Sequence, residues 1–106
     1  VDDLAGRVRD GKLSLSDVQD STLTINNTGV FGSVIGKPLI NPPEAAIMNT
    51  EAVIKRPVVI DDEIVVRSIM NLCLTFDHRV LDGAEAGAFL QSVKSRLESI
   101  DSDNIV

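Results

Sequence analysis

Residues 69–100 read IMNLCLTFDHRVLDGAEAGAFLQSVKSRLESI, and the spacing of their apolar residues changes midway. Over 69–76, Met70, Leu72, Leu74 and Phe76 alternate with Asn71, Cys73 and Thr75, which predicts a strand with two unlike faces. After Asp82-Gly83 the apolar residues Ala86, Phe89, Leu90, Val93, Leu97 and Ile100 fall three and four apart. That is the stripe of an amphipathic helix, with Glu85, Gln91, Lys94, Ser95 and Glu98 on its outer face. The joint between strand and helix holds His78, the only histidine of the chain.

Upstream, Val58-Val59-Ile60 and Ile64-Val65-Val66 flank Asp61-Asp62-Glu63 in a hairpin pattern, and Pro57 marks an edge or a strand start. Residues 45–48 and 52–54 are short apolar runs that fit strands, and 22–25 alternate as a half-buried strand does. The glycines and prolines of 26–43 favour loop over regular structure. Yet Val30, Phe31, Val34, Ile35, Leu39 and Ile40 are too apolar for a solvated linker, so an ordered loop packed against something is expected. Residues 15–19 are polar and turn-like, and 4–13 predict a short helix ending near Gly11. The tail after Ile100 is expected to fray.

A chain of 106 residues suffices for one small domain that buries about 60 to 65 per cent of its unfolded surface. With 43% hydrophobic and 25% charged residues it reads as soluble and globular, and its apolar runs fall far short of the roughly 20 residues a membrane span needs. A net charge of -6 argues against a nucleic-acid partner, because phosphate backbones demand clustered Lys and Arg. The start, Val1-Asp2-Asp3-Leu4, has no signal-peptide character and no initiator Met, so a segment of a longer protein is expected. The single cysteine, Cys73, excludes an internal disulfide and reads as a buried structural thiol between Leu72 and Leu74.

His78 is the side chain best suited to take up a proton at neutral pH, since the ordinary pKa of a histidine is about 6.5. Asp77 and Asp82 flank it. Either can orient its ring or pair with Arg79, and Asp82 equally suits the helix N-cap. One His and one distant Cys do not supply the three or four ligands of zinc, so no metal site is expected. Gly29, Gly32 and Gly36 lack the G-x-G-x-x-G spacing of a phosphate loop, and the chain has no G-x-S-x-G elbow. Nucleotide binding and serine-hydrolase chemistry are therefore set aside.

The run Leu74-Thr75-Phe76-Asp77 followed by His78-Arg79-Val80-Leu81-Asp82-Gly83 is an H-x-x-x-D-G pattern. It resembles the signature near the C-terminus of the dihydrolipoamide acyltransferases (E2) of 2-oxo acid dehydrogenase complexes. The resemblance extends, in the family's order, through Arg9-Asp10-Gly11-Lys12-Leu13, Thr24-Ile25-Asn26-Asn27-Thr28-Gly29, Asn41-Pro42-Pro43-Glu44-Ala45-Ala46-Ile47 and Lys55-Arg56-Pro57-Val58-Val59. The wording at 26–29 and 45–47 is closest to the branched-chain 2-oxo acid members.

The resemblance implies an α+β, two-layer fold: the chloramphenicol-acetyltransferase-like mixed sheet with helices on one face, incomplete on its N-terminal side. Residues 1–106 would form the C-terminal part of the catalytic domain. It also implies acyl transfer between dihydrolipoamide and coenzyme A, with His78 as general base and Asp82 structural, pairing with an arginine that holds the active-site loop. Where many members place a serine hydroxyl to bind the oxyanion, the matching position is Asn26, whose amide is also a donor; Thr28 and Ser33 are the alternatives.

The implied assembly is a homotrimer with its active site between subunits, so that Asn26 meets His78 of a neighbouring chain. Trimers would join into a larger core through the C-terminal segment 97–106. The lipoyl group, and the E1 and E3 components, would be reached through other domains, in a bacterial cytoplasm or a mitochondrial matrix. Two further readings are a non-catalytic fragment acting as a trimer or core assembly module, and a stand-alone enzyme of the chloramphenicol acetyltransferase type, for which the chain is short. Half of such a domain is expected to expose apolar surface.

Overall fold

The computed structural model describes residues 1–101, so the far end of the proposed assembly segment and most of the tail after Ile100 lie outside the described residues. In chain order the elements are α1 (Asp2–Arg9), β1 (Leu23–Asn27), β2 (Ala46–Thr50), β3 (Ile54–Ile60), β4 (Glu63–Ile69), β5 (Leu72–Phe76) and α2 (Gly83–Glu98). Strands β1, β2 and β5 form a mixed sheet in that spatial order, β1 parallel to β2 and β2 antiparallel to β5. β3 and β4 pair separately as a hairpin. Helix α2 packs on β5, which completes the two-layer α+β arrangement.

The core is small. Ala46, Ile47 and Met48 on the central strand β2, with Ala86 of α2, are its buried apolar residues. Because successive side chains of a strand point to opposite faces, Leu23, Ala46 and Leu74 share the face turned to α2 and line a groove there with Ala86 and Phe89. The opposite face carries Asn26, Asn49 and Cys73, which stand level with one another across β1, β2 and β5.

The strand pattern at 69–76 divides into two elements. Ile69 closes β4 opposite Ile54, Met70 and Asn71 turn the chain, and β5 begins at Leu72. Likewise Ala52 and Val53 form a link rather than a strand, and Ile54 opens β3. The loop expected from Asn26 onward starts later, since Asn26 and Asn27 belong to β1. Asp61 and Asp62 both have positive φ, 50° and 62°, as a two-residue hairpin turn requires. Pro57 sits within β3, where the two-stranded sheet leaves one edge unpaired.

The loop after β1 is ordered through its backbone: Ala52 N–H donates to the Ser33 carbonyl at 2.7 Å, and Asn71 Nδ2 donates to the Val34 carbonyl at 2.7 Å. Its apolar side chains are a different matter, because Phe31 and Leu39 are each 88% exposed. The chain exposes 8430 Å², against about 5,800 Å² for a compact monomer of its mass. It therefore buries only about half of its unfolded surface, less than its length predicts. The radius of gyration of 16.7 Å likewise exceeds the roughly 13 Å of a compact chain. Among the described residues no helix is long and apolar enough to cross a membrane.

Candidate active site

His78 lies in the turn between β5 and α2, two residues beyond the last residue of β5. The turn is closed by the Asp77 carbonyl, which accepts from the N–H groups of Val80 at 2.9 Å and Leu81 at 3.0 Å. It is tied to the sheet by Asp77 N–H donating to the Ala45 carbonyl at 2.8 Å. The two flanking aspartates divide their work. Asp77 accepts from Arg79 Nε at 3.0 Å, Nη2 at 2.7 Å and the backbone N–H at 2.9 Å. These bonds from Arg79 hold the Asp77 carboxyl down to about 2.

Asp82 caps α2. Its Oδ1 accepts from Glu85 N–H at 2.9 Å, and Glu85 Oε2 accepts from Asp82 N–H at 3.0 Å. This reciprocal pair satisfies two groups at the helix start. No arginine bonds Asp82 among the described residues, and neither aspartate bonds the imidazole. His78 is exposed, and its ring lies beside that of Phe76, with centroids 5.5 Å apart.

Asn26 stands on the other face of the sheet in a polar network. Its Nδ2 donates to Asn49 Oδ1 at 3.3 Å. Asn49 Nδ2 donates to Glu51 Oε1 at 3.3 Å and to Thr28 Oγ1 at 3.4 Å, while the Thr28 hydroxyl donates to Glu51 Oε2 at 2.7 Å. The Ser33 and Thr28 hydroxyls, followed by Asn49 and Cys73, hold the Glu51 carboxyl below its ordinary value against the opposing effect of burial. Gly29 makes this packing possible, since a Cβ there would lie 2.4 Å from the Glu51 carbonyl carbon. Cys73, half-buried, belongs to this cluster rather than to a sealed apolar core.

Asn26 and His78 do not converge within one chain. Asn26 is level with Cys73, three residues short of Phe76 and two strands across. That is about 10 Å along the strands and about 10 Å sideways, with His78 two residues further on. Asn49 and Glu51 escape a reading of the sequence alone, because polar residues after an apolar run look like the exposed end of a strand. The available signal is their parity: Ile47, Asn49 and Glu51 alternate onto the face that carries Asn26.

Comparison with known proteins agrees with this architecture. The family model for the catalytic domain of 2-oxoacid dehydrogenase acyltransferases matches residues 1–103. The lipoamide acyltransferase component of the branched-chain alpha-keto acid dehydrogenase complex of Bacillus subtilis is 55% identical over 104 residues, covering 97% of this chain and 24% of that protein. The mitochondrial succinyltransferase component of the 2-oxoglutarate dehydrogenase complex of Saccharomyces cerevisiae is 50% identical over 95 residues, covering 90% and 20%. The chain thus spans about a quarter or less of these relatives.

Among solved structures, a probable dihydrolipoamide acetyltransferase from Listeria monocytogenes superposes with a TM-score of 0.93 at 51% identity, over 99% of this chain and 45% of that one. The dihydrolipoamide acetyltransferase of Azotobacter vinelandii gives 0.87 at 32% identity, over 92% and 40%; a serine, a histidine and an asparagine have been investigated in its catalytic mechanism. Strand order, the helix-capped turn around His78 and the match over 1–103 lead to one conclusion: the chain belongs to the family of 2-oxoacid dehydrogenase acyltransferases, within their catalytic domain.

Proposed function

We propose that the protein transfers acyl groups between dihydrolipoamide and coenzyme A, with these residues as the C-terminal part of its catalytic domain. One observation carries the reading. An exposed imidazole at the strand-to-helix turn and an amide donor at Asn26 stand as far apart in sequence as the histidine and serine studied in the Azotobacter vinelandii enzyme, whose asparagine falls at the position of Asp82.

A thiol with a pKa near 8.5 is mostly protonated at neutral pH. His78 takes the thiol proton as the sulfur attacks the thioester carbonyl carbon, and the carbonyl electron pair moves onto oxygen. The Asn26 amide donates to that oxyanion, where the loss of a single donor typically costs about 100-fold or more in kcat. Collapse restores the carbonyl, breaks the bond to the second sulfur and returns the proton from His78 to the departing thiolate. Thr28 is a weaker candidate donor because its hydroxyl proton is engaged by Glu51. The separation of Asn26 from His78 favours an active site shared between neighbouring chains of a trimer, and the uncovered Phe31 and Leu39 favour such association.

Trimers of this kind would build a larger core that works with the E1 and E3 components, and the lipoyl group would arrive on a separate domain. The Bacillus subtilis relative favours branched-chain acyl groups; the yeast succinyltransferase makes succinyl the second reading. The test is acyl transfer from isobutyryl-, succinyl- and acetyl-CoA to dihydrolipoamide by the full-length enzyme. Replacing His78 by Ala is expected to lower kcat by about 10²- to 10⁴-fold, and a variant with the wild-type rate would sink the assignment.

A further inference from the structure

A carboxylate accepts hydrogen bonds and does not donate them. Glu51, 3% exposed, therefore fixes the direction of each hydrogen bond leading away from it. Its Oε2 takes the Thr28 proton and its Oε1 takes an amide proton of Asn49, which is also 3% exposed. The Asn49 nitrogen is further committed to Thr28 Oγ1, so its Oδ1 must face Asn26. That oxygen takes one proton of Asn26 Nδ2. The second proton on the same nitrogen has no acceptor among the described residues. Gly36 leaves the room this chain of bonds needs, since a Cβ there would lie 2.8 Å from both Asn49 Nδ2 and Glu51 Oε1.

We infer that Asn49, oriented by Glu51, is a positioning residue that holds the Asn26 amide with its free N–H turned outward. The inference rests on the reading of Asn26 as the oxyanion donor. Rotation of the Asn26 amide by half a turn about its last side-chain bond would exchange donor for acceptor. A carbonyl oxygen facing the developing oxyanion would repel it. A donor gains its catalytic value from being fixed before the charge appears. In this arrangement the fixing comes from a buried negative charge two hydrogen bonds away.

The test is a double-mutant cycle in the full-length enzyme, reading kcat and KM for acyl-CoA separately. Asn49→Ala is expected to lower kcat by up to about tenfold, the ordinary worth of one neutral hydrogen bond. KM should stay within about twofold, because only the transition state carries the oxyanion. Glu51→Gln keeps the shape but puts a donor beside Asn49, and should lower kcat by about threefold, within the same range of hydrogen-bond worth.

In an Asn26→Ala background neither substitution should lower kcat further. A loss that persists in that background, or one that appears in KM alone, overturns the positioning role. If Asn26→Ala is impaired while Asn49→Ala and Glu51→Gln match wild type, the positioning role falls and the donor reading stands. If Asn26→Ala itself keeps the wild-type kcat, the donor reading falls and this inference with it. Should Asn49→Ala fail to fold, the Glu51→Gln cycle decides by the same criteria.

Discussion

Asn26 stands in a strand, at the head of a chain of hydrogen bonds that ends on a buried carboxylate, whereas His78 stands in an exposed turn held by backbone hydrogen bonds and one neighbouring ion pair. The contrast suits the two tasks proposed for these residues. An oxyanion donor works best when its dipole is already aimed, because reorganisation during the reaction would cost part of the stabilisation. The base proposed at His78 must take a proton from one thiol and return it to another, which requires an imidazole that both sulfurs can reach. The locked half of the site is built from residues distant in sequence, and the open half from residues 77–85.

Three substitutions probe this contrast, beginning with the largest effect. Gly29→Ala forces a Cβ to within 2.4 to 2.7 Å of the Glu51 carbonyl and the Ala52 nitrogen, all backbone atoms that no rotamer change can move aside. It is expected to destabilise the fold by about 3 kcal/mol, the upper end for overpacking. Urea denaturation reads this, and a variant as stable as wild type would show that the Asn26 side is not locked.

Asp82→Ala removes the cap of α2 beside His78, at an expected cost of about 1 kcal/mol read by the same denaturation. An unchanged midpoint would mean that the helix start is held by something other than its capping box. The smallest effect belongs to Asp77, whose partner Arg79 is 89% exposed. Because its folded-state value is depressed to about 2 from 3.8, the pair contributes stability above pH 4 that is lost as pH falls towards 2. Asp77→Asn should thus be less stable than wild type at pH 5, and the difference should shrink as pH falls from 4 towards 2. A difference that stays constant from pH 5 to pH 2 would assign the effect to packing instead.

Much of the fold is legible in the sequence where local spacing decides it. The stripe from Ala86 to Leu97 permits only a helix, and two aspartates between β-branched runs permit a tight hairpin. The start of β5 is not legible, because Ile69 and Met70 continue the apolar run and only the pairing of Ile69 with Ile54 assigns the first of them to β4. In the candidate site, His78 and Asp82 stand out by residue type and position, and Asn26 by resemblance. Asn49 and Glu51 do not, since their importance comes from a neighbour 23 residues away, the separation of Asn26 from Asn49 and of Thr28 from Glu51. Glu44 belongs with them: it is buried and accepts from the Ser21 and Thr24 side chains, pinning the start of β1 to the start of β2.

The hairpin has a consequence for the order of folding. Thr50 of β2 pairs with Leu72 of β5, so without the hairpin their meeting closes a loop of residues 51–71. Once Ile54 and Ile69 are paired, only residues 51–53 and 70–71 remain slack. Loop-closure entropy grows with the logarithm of loop length, so the preformed hairpin lowers the cost of joining β2 to β5 by about 1 kcal/mol. Hairpins close within microseconds, ahead of long-range strand pairing. By this entropy argument the arm that adds least to the core is expected to act as a zipper that brings β2 and β5 together.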